Sequence, residues 1–430
     1  MRNSILRYDG ACFSVERELM KIAILTLGCK VNQYESDALI FELENRGFET
    51  TNKLEEADAY IINTCAVTNE AEKKSRQMIE RARKFNKDAK IYIMGCASQN
   101  RPVQFEGHGV TMLFGTASKK KLLDELEKEG QHIYDLPKEY EDDLLAKQTL
   151  TRAYIKIQDG CDKFCTYCVI PYLRGRSRSR SIDSIVAEVE KLPETVKEIV
   201  LVGIDVADFK VKGEMGLGVL LERLDGFGKR LRLSSMEDNI ITEEFMQTLA
   251  GLKNFCPHFH LSLQSGCDNV LKKMNRKYTT AEFEKSIKLI RKYFPLAGVT
   301  TDIIVGFPTE TEEDFEETLA FVERVKFAQL HIFPYSKRDG TAASKLYKDL
   351  SGEIKSDRLK RLKTLGKKLK EEFIFQNKMG EVLIEERNGD FFEGYTKNYI
   401  KCYYSGEAEV GEIVTLKLSE LFKDGAKCQK

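Results

Sequence analysis

The sequence predicts an α/β protein in three parts. These are an amino-terminal doubly wound parallel sheet, a central partial TIM-type (β/α) barrel and a small carboxyl-terminal β-barrel. Three observations carry this. Strand-like runs alternate with amphipathic stretches from residue 21 to about residue 368, the pattern of repeated βαβ units. Most of these runs stop at a glycine or a cysteine, the strand end at which parallel sheets place function. After Gly380 the texture changes to short alternating strands and turns.

Composition sets the outer bounds. The 430 residues are 42% hydrophobic and 32% charged, and Lys+Arg and Asp+Glu balance at 68 each. A nucleic-acid contact therefore has to come from a local patch. No run of 18 apolar residues occurs, so no membrane span is expected. Eleven cysteines without a secretory signal point to reduced thiols in a cytoplasm. Residues 1–19 show no clean period. Met20 is followed at once by a strand-like run, so we read it as the natural start, with a short frayed segment as the alternative.

In the amino-terminal part, expected over residues 20–130, three strand-like runs each end in a cysteine: KIAILTLG before Cys29, ADAYIINT before Cys65 and AKIYIMG before Cys96. Residues 35–46 and 69–85 between them have helical apolar spacing. Spacings of 36 and 31 residues are about one βαβ unit each. All three cysteines fall at the carboxyl edge of the sheet, so they can converge; burial as small hydrophobes is the alternative. Residues 131–150 read as a charged linker.

The central part, residues 151–368, opens on Tyr154-Ile155-Lys156-Ile157 and then Cys161-Asp162-Lys163-Phe164-Cys165-Thr166-Tyr167-Cys168. Three soft ligands spaced Cys-x3-Cys-x2-Cys on one loop suit an iron–sulfur cluster with one iron left open. Zinc, which needs a fourth ligand, and a disulfide are the weaker alternatives. Further strand-like runs are residues 199–202, 231–233, 259–263, 299–305 and 330–333. Arg174, Arg176, Arg178 and Arg180 lie just past the cluster loop, either as a solvated charged loop or as a grip on RNA phosphate. His258 and His260 share one strand face and read as satisfied core histidines. A long helix over residues 353–375 leads to the last part, residues 369–430. There Asn388-Gly389 reads as a hairpin turn. Tyr395, Lys397 and Tyr399 suit base stacking, or else fill a core.

The Cys161–Cys168 spacing, with an aromatic residue at Tyr167, resembles the radical S-adenosylmethionine (SAM) superfamily. That resemblance implies that the open iron chelates SAM and that reduction releases a 5′-deoxyadenosyl radical. The run from Thr26 to Ser36, with Asn63-Thr64-Cys65-Ala66-Val67-Thr68 and Met94-Gly95-Cys96-Ala97-Ser98-Gln99, resembles the methylthiotransferases. There the matching Cys29, Cys65 and Cys96 are implied to hold a second, auxiliary 4Fe–4S cluster. Segments 257–266, 302–308 and 331–336 extend the likeness and make Gln264, Gly306 and Glu310 candidate SAM contacts. Thr309, Glu237-Asp238-Asn239 and Gly203-Ile204-Asp205 depart from the usual pattern. Gly394-Tyr395-Thr396-Lys397-Asn398-Tyr399 resembles the TRAM domain.

The wording around Cys29 is most similar to the branch acting on threonylcarbamoyladenosine of tRNA. The implied function is addition of a methylthio group to carbon-2 of N6-threonylcarbamoyladenosine-37 in the anticodon loop, with two SAM molecules and two 4Fe–4S clusters. An aryl C–H offers no acidic proton, so a radical cofactor must carry that step. The same chemistry on isopentenyladenosine or a ribosomal-protein aspartate, and a non-catalytic iron–sulfur RNA-binding module, are the alternatives. A cation near the substrate, Lys30 or Arg338, would favour the carboxylate of threonylcarbamoyl. A flavodoxin or ferredoxin electron donor, an unidentified sulfur donor and a monomeric state complete the expectations.

Overall fold

The computed structural model describes residues 20–430 apart from 118, 142, 143 and 149; the leader 1–19 and two acidic linker residues lie outside the described residues. The first strands form because apolar runs can be buried on both faces of a parallel sheet. β1 (Lys21–Thr26), β2 (Glu49–Thr51), β3 (Ala59–Thr64), β4 (Lys90–Gly95), β5 (Met112–Phe114) and β6 (Gly130–His132) pair in the order β2-β1-β3-β4-β5-β6, all parallel. α1 (Lys30–Asn45) puts Leu39 and Leu43 on one face, and α2 (Asn69–Phe85) puts Ile79 and Ala82 on the other, which is the doubly wound arrangement. Thr68 starts α2 by accepting a hydrogen bond from the Ala71 amide.

Two features differ from the sequence reading. α1 starts at Lys30, directly after an extended Cys29, rather than at residue 35. Its first turn carries Val31, Asn32 and Tyr34, which are buried by neighbours far away in sequence and so leave no helical stripe to read. β6 was read as linker, since Gly130-Gln131-His132 has no apolar signal and joins only as an edge strand.

The central part has six parallel strands in two sheets. β7 (Arg152–Lys156), β8 (Glu198–Val202) and β9 (Arg230–Leu233) form one, with β8 in the middle. β10 (His258–His260), β11 (Gly298–Val305) and β12 (Gln329–Pro334) form the other. Bridges Leu231–Phe255 and Met236–Leu261 join them into a partial barrel. Its outer face (Ile155, Ile199, Leu201, Leu231, Phe259, Val299, Ile303) packs in one core with the surrounding helices. The alternate residues face inward, where α1 lays Tyr34 and Ala38 against Val200 and Val202.

A 25-residue helix, α3 (Gly352–Gln376), packs Leu362 and Leu369 on the barrel core and Ile374 in the carboxyl-terminal core. That last unit is a closed barrel of β13 (Met379–Asn388), β14 (Phe391–Thr396), β15 (Lys401–Tyr404), β16 (Ile413–Phe422) and β17 (Gly425–Gln429). Asn388 pairs with Phe391 across a tight turn, and Gly389 supplies the positive φ of 61° it requires.

Candidate active site

The Cys161–Cys168 loop is moulded by backbone contacts rather than by its own helix or strand. The Cys161 amide donates to the Gly175 carbonyl at 3.0 Å, and the Thr166 amide donates to the Met274 carbonyl at 3.0 Å. Gly160, at φ 73°, sits where a Cβ would lie 2.0 Å from the Arg176 carbonyl oxygen, so only glycine fits. All three thiols are partly buried and none is in a disulfide. Arg276 reaches Cys165 Sγ at 3.2 Å and is held by Glu237 at 2.7 Å. No sequence motif marked Arg276; it comes to the loop only by folding.

The amino-terminal triad is built by topology. In a sheet of order 2-1-3-4-5, ligands bind at the β1/β3 switch point. Cys29 and Cys65 follow those two strands, and Cys96 follows the next. The loops touch: a Cβ on Gly28 would lie 2.9 Å from Cys65 Cβ and 3.1 Å from its sulfur. Asn32 ties them by donating to the Leu27 carbonyl at 2.8 Å and the Thr64 carbonyl at 3.1 Å.

The two loops share a wall. The short helix Ile170–Arg174 follows Cys168, and its Leu173, with Val169, packs in one core with Cys96 and Ala97. Cys96 is among the groups that act electrostatically on Cys168. A cavity of about 270 Å³ lies at this junction, bordered by Val67 and Thr68 on one side and by Tyr167, Cys168, Gln264, Asp302 and Phe333 on the other. Gln264 holds a left-handed backbone, φ 69°, fixed by its amide donating to the Asp302 carbonyl and its carbonyl accepting from Ile304, both at 2.9 Å.

Behind the junction Arg174, 1% exposed, donates to Asn32 Oδ1 at 2.7 Å, to Glu35 at 3.0 and 3.1 Å and to Asp159 at 3.1 Å. Lys156 pairs with the same two carboxylates at 2.7 Å. Burial alone would raise Glu35 and Asp159, but Arg174, Lys156 and Lys119 outweigh it and hold both well below the usual carboxylate range.

Several expectations need correction. Arg174, Arg178 and Arg180 are not a solvent-facing phosphate grip: all three are buried, and they bind Glu35, Asp159, backbone carbonyls and Glu188. Arg176 alone of the four is exposed, over the Phe164 ring at 4.6 Å. Tyr395 and Tyr399 are not an open stacking platform. Tyr395 stacks on Tyr399 at 4.7 Å and Tyr399 on His258 at 4.3 Å, with Arg152 over both tyrosines and Arg232 over Tyr399, at the floor of the central barrel. Lys397 pairs with Glu381 at 3.1 Å.

Of the candidate SAM contacts, Gln264 and Tyr167 border the cavity, whereas Glu310 accepts hydrogen bonds from the Gly306 amide and Arg358, both at 2.7 Å. That turns its carboxylate away from the cavity. His258 and His260 have the hydrogen-bond partner expected of satisfied histidines, both lying within reach of Thr300 Oγ1, on the lumen side of their strand. Arg338 is spent on Glu72 and Asn69, while Lys30 has no hydrogen-bond or ion-pair partner among the described residues.

The thiol sites suit a cluster. Burial pushes Cys65, Cys161 and Cys168 up to about 12, so thiolates there need a strong cationic partner such as metal. Among the described residues no three His, Cys, Asp or Glu side chains are gathered tightly enough to clasp a single ion. A cubane spreads its thiolates over separate irons and takes a wider set.

Comparison with known proteins agrees. Residues 155–322 match the Radical SAM superfamily, and residues 21–115 match the Uncharacterized protein family UPF0004. Threonylcarbamoyladenosine tRNA methylthiotransferase MtaB of Bacillus subtilis is 39% identical over 92% of this chain and 93% of its own length. The tRNA-2-methylthio-N(6)-dimethylallyladenosine synthase of the same organism is 34% identical over 93% of this chain and 84% of its own. The solved radical SAM methyltransferase TsrM of Kitasatospora setae shares the fold, with a TM-score of 0.56 at 13% identity over 76% of this chain and 74% of its own. With a radical SAM domain, which brings a 4Fe–4S cluster and SAM, joined to a UPF0004 domain, and with such relatives over most of its length, the chain belongs to the radical SAM tRNA methylthiotransferases.

Proposed function

We propose that the enzyme adds a methylthio group to carbon-2 of N6-threonylcarbamoyladenosine-37 of tRNA, with one 4Fe–4S cluster on Cys161, Cys165 and Cys168 and a second on Cys29, Cys65 and Cys96. The observation that carries this reading is the single cavity bordered by loops from both triads. Clusters and SAM, when bound, supply the one-electron and radical chemistry that an unactivated aryl C–H requires. The chain's own residues position and enclose. Tyr167 and Gln264 would form the wall against which a SAM molecule rests, and Val67, Thr68 and Phe333 add to the lining of the cavity. Arg276 fixes Cys165, and Arg174 clamps Asn32 of the amino-terminal unit to the radical loop's own Asp159. The carboxyl-terminal barrel stacks Tyr399 on His258 of the lumen, and we assign the RNA stem to the outer surface of that barrel.

The threonylcarbamoyl branch is favoured because relatives at 39%, 38% and 36% identity carry that name, against 34% for the dimethylallyl synthases. The test is nucleoside mass spectrometry of tRNA from a deletion strain. Loss of the 2-methylthio threonylcarbamoyl nucleoside, with its precursor accumulating and isopentenyl nucleosides unchanged, is expected. Loss of the methylthio isopentenyl nucleoside instead would reverse the assignment.

A further inference from the structure

The lumen of the central barrel, below the cavity, is polar and cation-rich. On its floor Glu198 is occupied by Arg232, at 2.7 and 2.8 Å, and by Arg152 at 3.1 Å. Glu385 is occupied by Arg152. Higher up, Asp302 Oδ2 stands 3.2 Å from His260, and His331 lies edge-on to His260 with ring centroids 5.4 Å apart. Asp302 also borders the cavity, so the histidine column begins where the cavity ends.

Into this space comes one residue of the amino-terminal unit. Lys30 opens the helix whose Tyr34 and Ala38 lie against the inner barrel face. Its ammonium is within electrostatic reach of Arg152, Arg232 and Glu198 and of His258 and His331. It is half-buried, and no carboxylate among the described residues lies within ion-pair distance of it. A half-buried ammonium surrounded by guanidiniums, with the nearby carboxylates already bridged, is a site short of one anion.

Building on the proposed function, we propose that Lys30 is the specificity-determining residue of this enzyme, pairing with the carboxylate on the substrate's threonyl group. Lys30 is the next residue after Cys29, so one short turn would hold both a ligand of the auxiliary cluster and the anchor for the nucleoside's side chain. An isopentenyl group brings no anion, and would leave the ammonium unpaired against apolar surface, which is a penalty built against the wrong substrate. Arg338, the other basic residue that sequence offered, is already satisfied by Glu72 and Asn69.

The test measures dissociation constants of the reconstituted, full-length holoenzyme, with SAM present, for three anticodon stem-loops. One carries threonylcarbamoyladenosine, one its carboxyl methyl ester and one isopentenyladenosine. Wild type is expected to prefer the free acid to the ester by roughly 10- to 100-fold, the range of a charge-assisted hydrogen bond. Lys30→Met is expected to bind acid and ester alike with iron content unchanged, and Lys30→Arg to keep most of the preference. A Lys30→Met protein that still prefers the acid overturns the proposal, and so does one that loses iron, which would make Lys30 structural. Wild type binding the isopentenyl stem-loop more tightly than the free acid overturns the substrate reading and this inference together. A wild-type preference for the acid that survives Lys30→Met overturns the inference alone.

Discussion

The radical-loop triad and the amino-terminal triad bring together the same ligand type by opposite routes. Cys161, Cys165 and Cys168 sit within eight residues, and the loop would carry them together wherever it went. Cys29, Cys65 and Cys96 span 68 residues and meet only because three neighbouring strands of one sheet end side by side. The first set depends on local loop geometry; the second depends on the whole sheet. Arg174 and Asn32 tie the two, so damage at the seam should fall more heavily on the topological site.

The largest effect separates the sites outright. Replacing Cys161, Cys165 and Cys168 by alanine should remove roughly half of the iron and all 5′-deoxyadenosine formation, as should be expected of one cubane of two. Replacing Cys29, Cys65 and Cys96 should also remove roughly half of the iron but leave reductive cleavage of SAM while abolishing methylthiolation. Iron analysis and product assay check both; equal loss of SAM cleavage in the two variants would erase the distinction.

Next is the seam. Arg174→Ala leaves Glu35 with lysine partners only and Asp159 with Lys156 and Arg178, and takes the Arg174 donor from Asn32 Oδ1. Removing one partner from a buried ion pair costs about 3–5 kcal/mol. Arg276→Ala, at the local site, should cost less, about 1–3 kcal/mol, because Glu237 keeps Lys163 at 3.1 Å. Thermal or denaturant unfolding of the two variants ranks them, and Arg276→Ala being the more damaging would contradict the account.

Acid should act on the same seam. Glu35 and Asp159 are held below their ordinary values, so their stabilising contribution is complete above the unfolded-state range, starts to fade there, and is lost as pH falls through their depressed folded values. At the barrel floor, burial would raise Glu198, but Arg232 and Arg152 bring it down to about 2, so its contribution fades between about pH 4.5 and 2. Unfolding midpoints measured from pH 7 downward should therefore drop from about pH 4.5, and less steeply in Arg174→Ala; a flat profile through that window would refute this reading. The smallest effect is at Arg176, which is exposed: Arg176→Ala should change stability by less than about 0.5 kcal/mol.

The comparison also explains what could be read in the sequence. The radical loop was legible because its ligands are neighbours in the chain. The amino-terminal triad was legible because strand runs with cysteines at their ends imply a shared edge. Charge could not be placed the same way. Four arginines in seven residues look solvated, yet three are buried, because their partners Glu35, Asp159 and Glu188 are brought in by distant elements. Tyr395 and Tyr399 resemble an RNA platform in sequence, since the histidine and the two arginines that cover them lie far away in the chain. Arg276 carries no local signal at all. Lys30 lay among the candidates, but only the fold distinguishes it from Arg338.

The central claim is that loops from both triads border one cavity, and electron paramagnetic resonance of the anaerobically reconstituted, dithionite-reduced protein tests it most directly. Two cubanes flanking one cavity should broaden or split each other, so the wild-type spectrum should differ from the sum of the spectra of the two triple-alanine variants. A wild-type spectrum equal to that sum, or one matching a single triple variant, would contradict it.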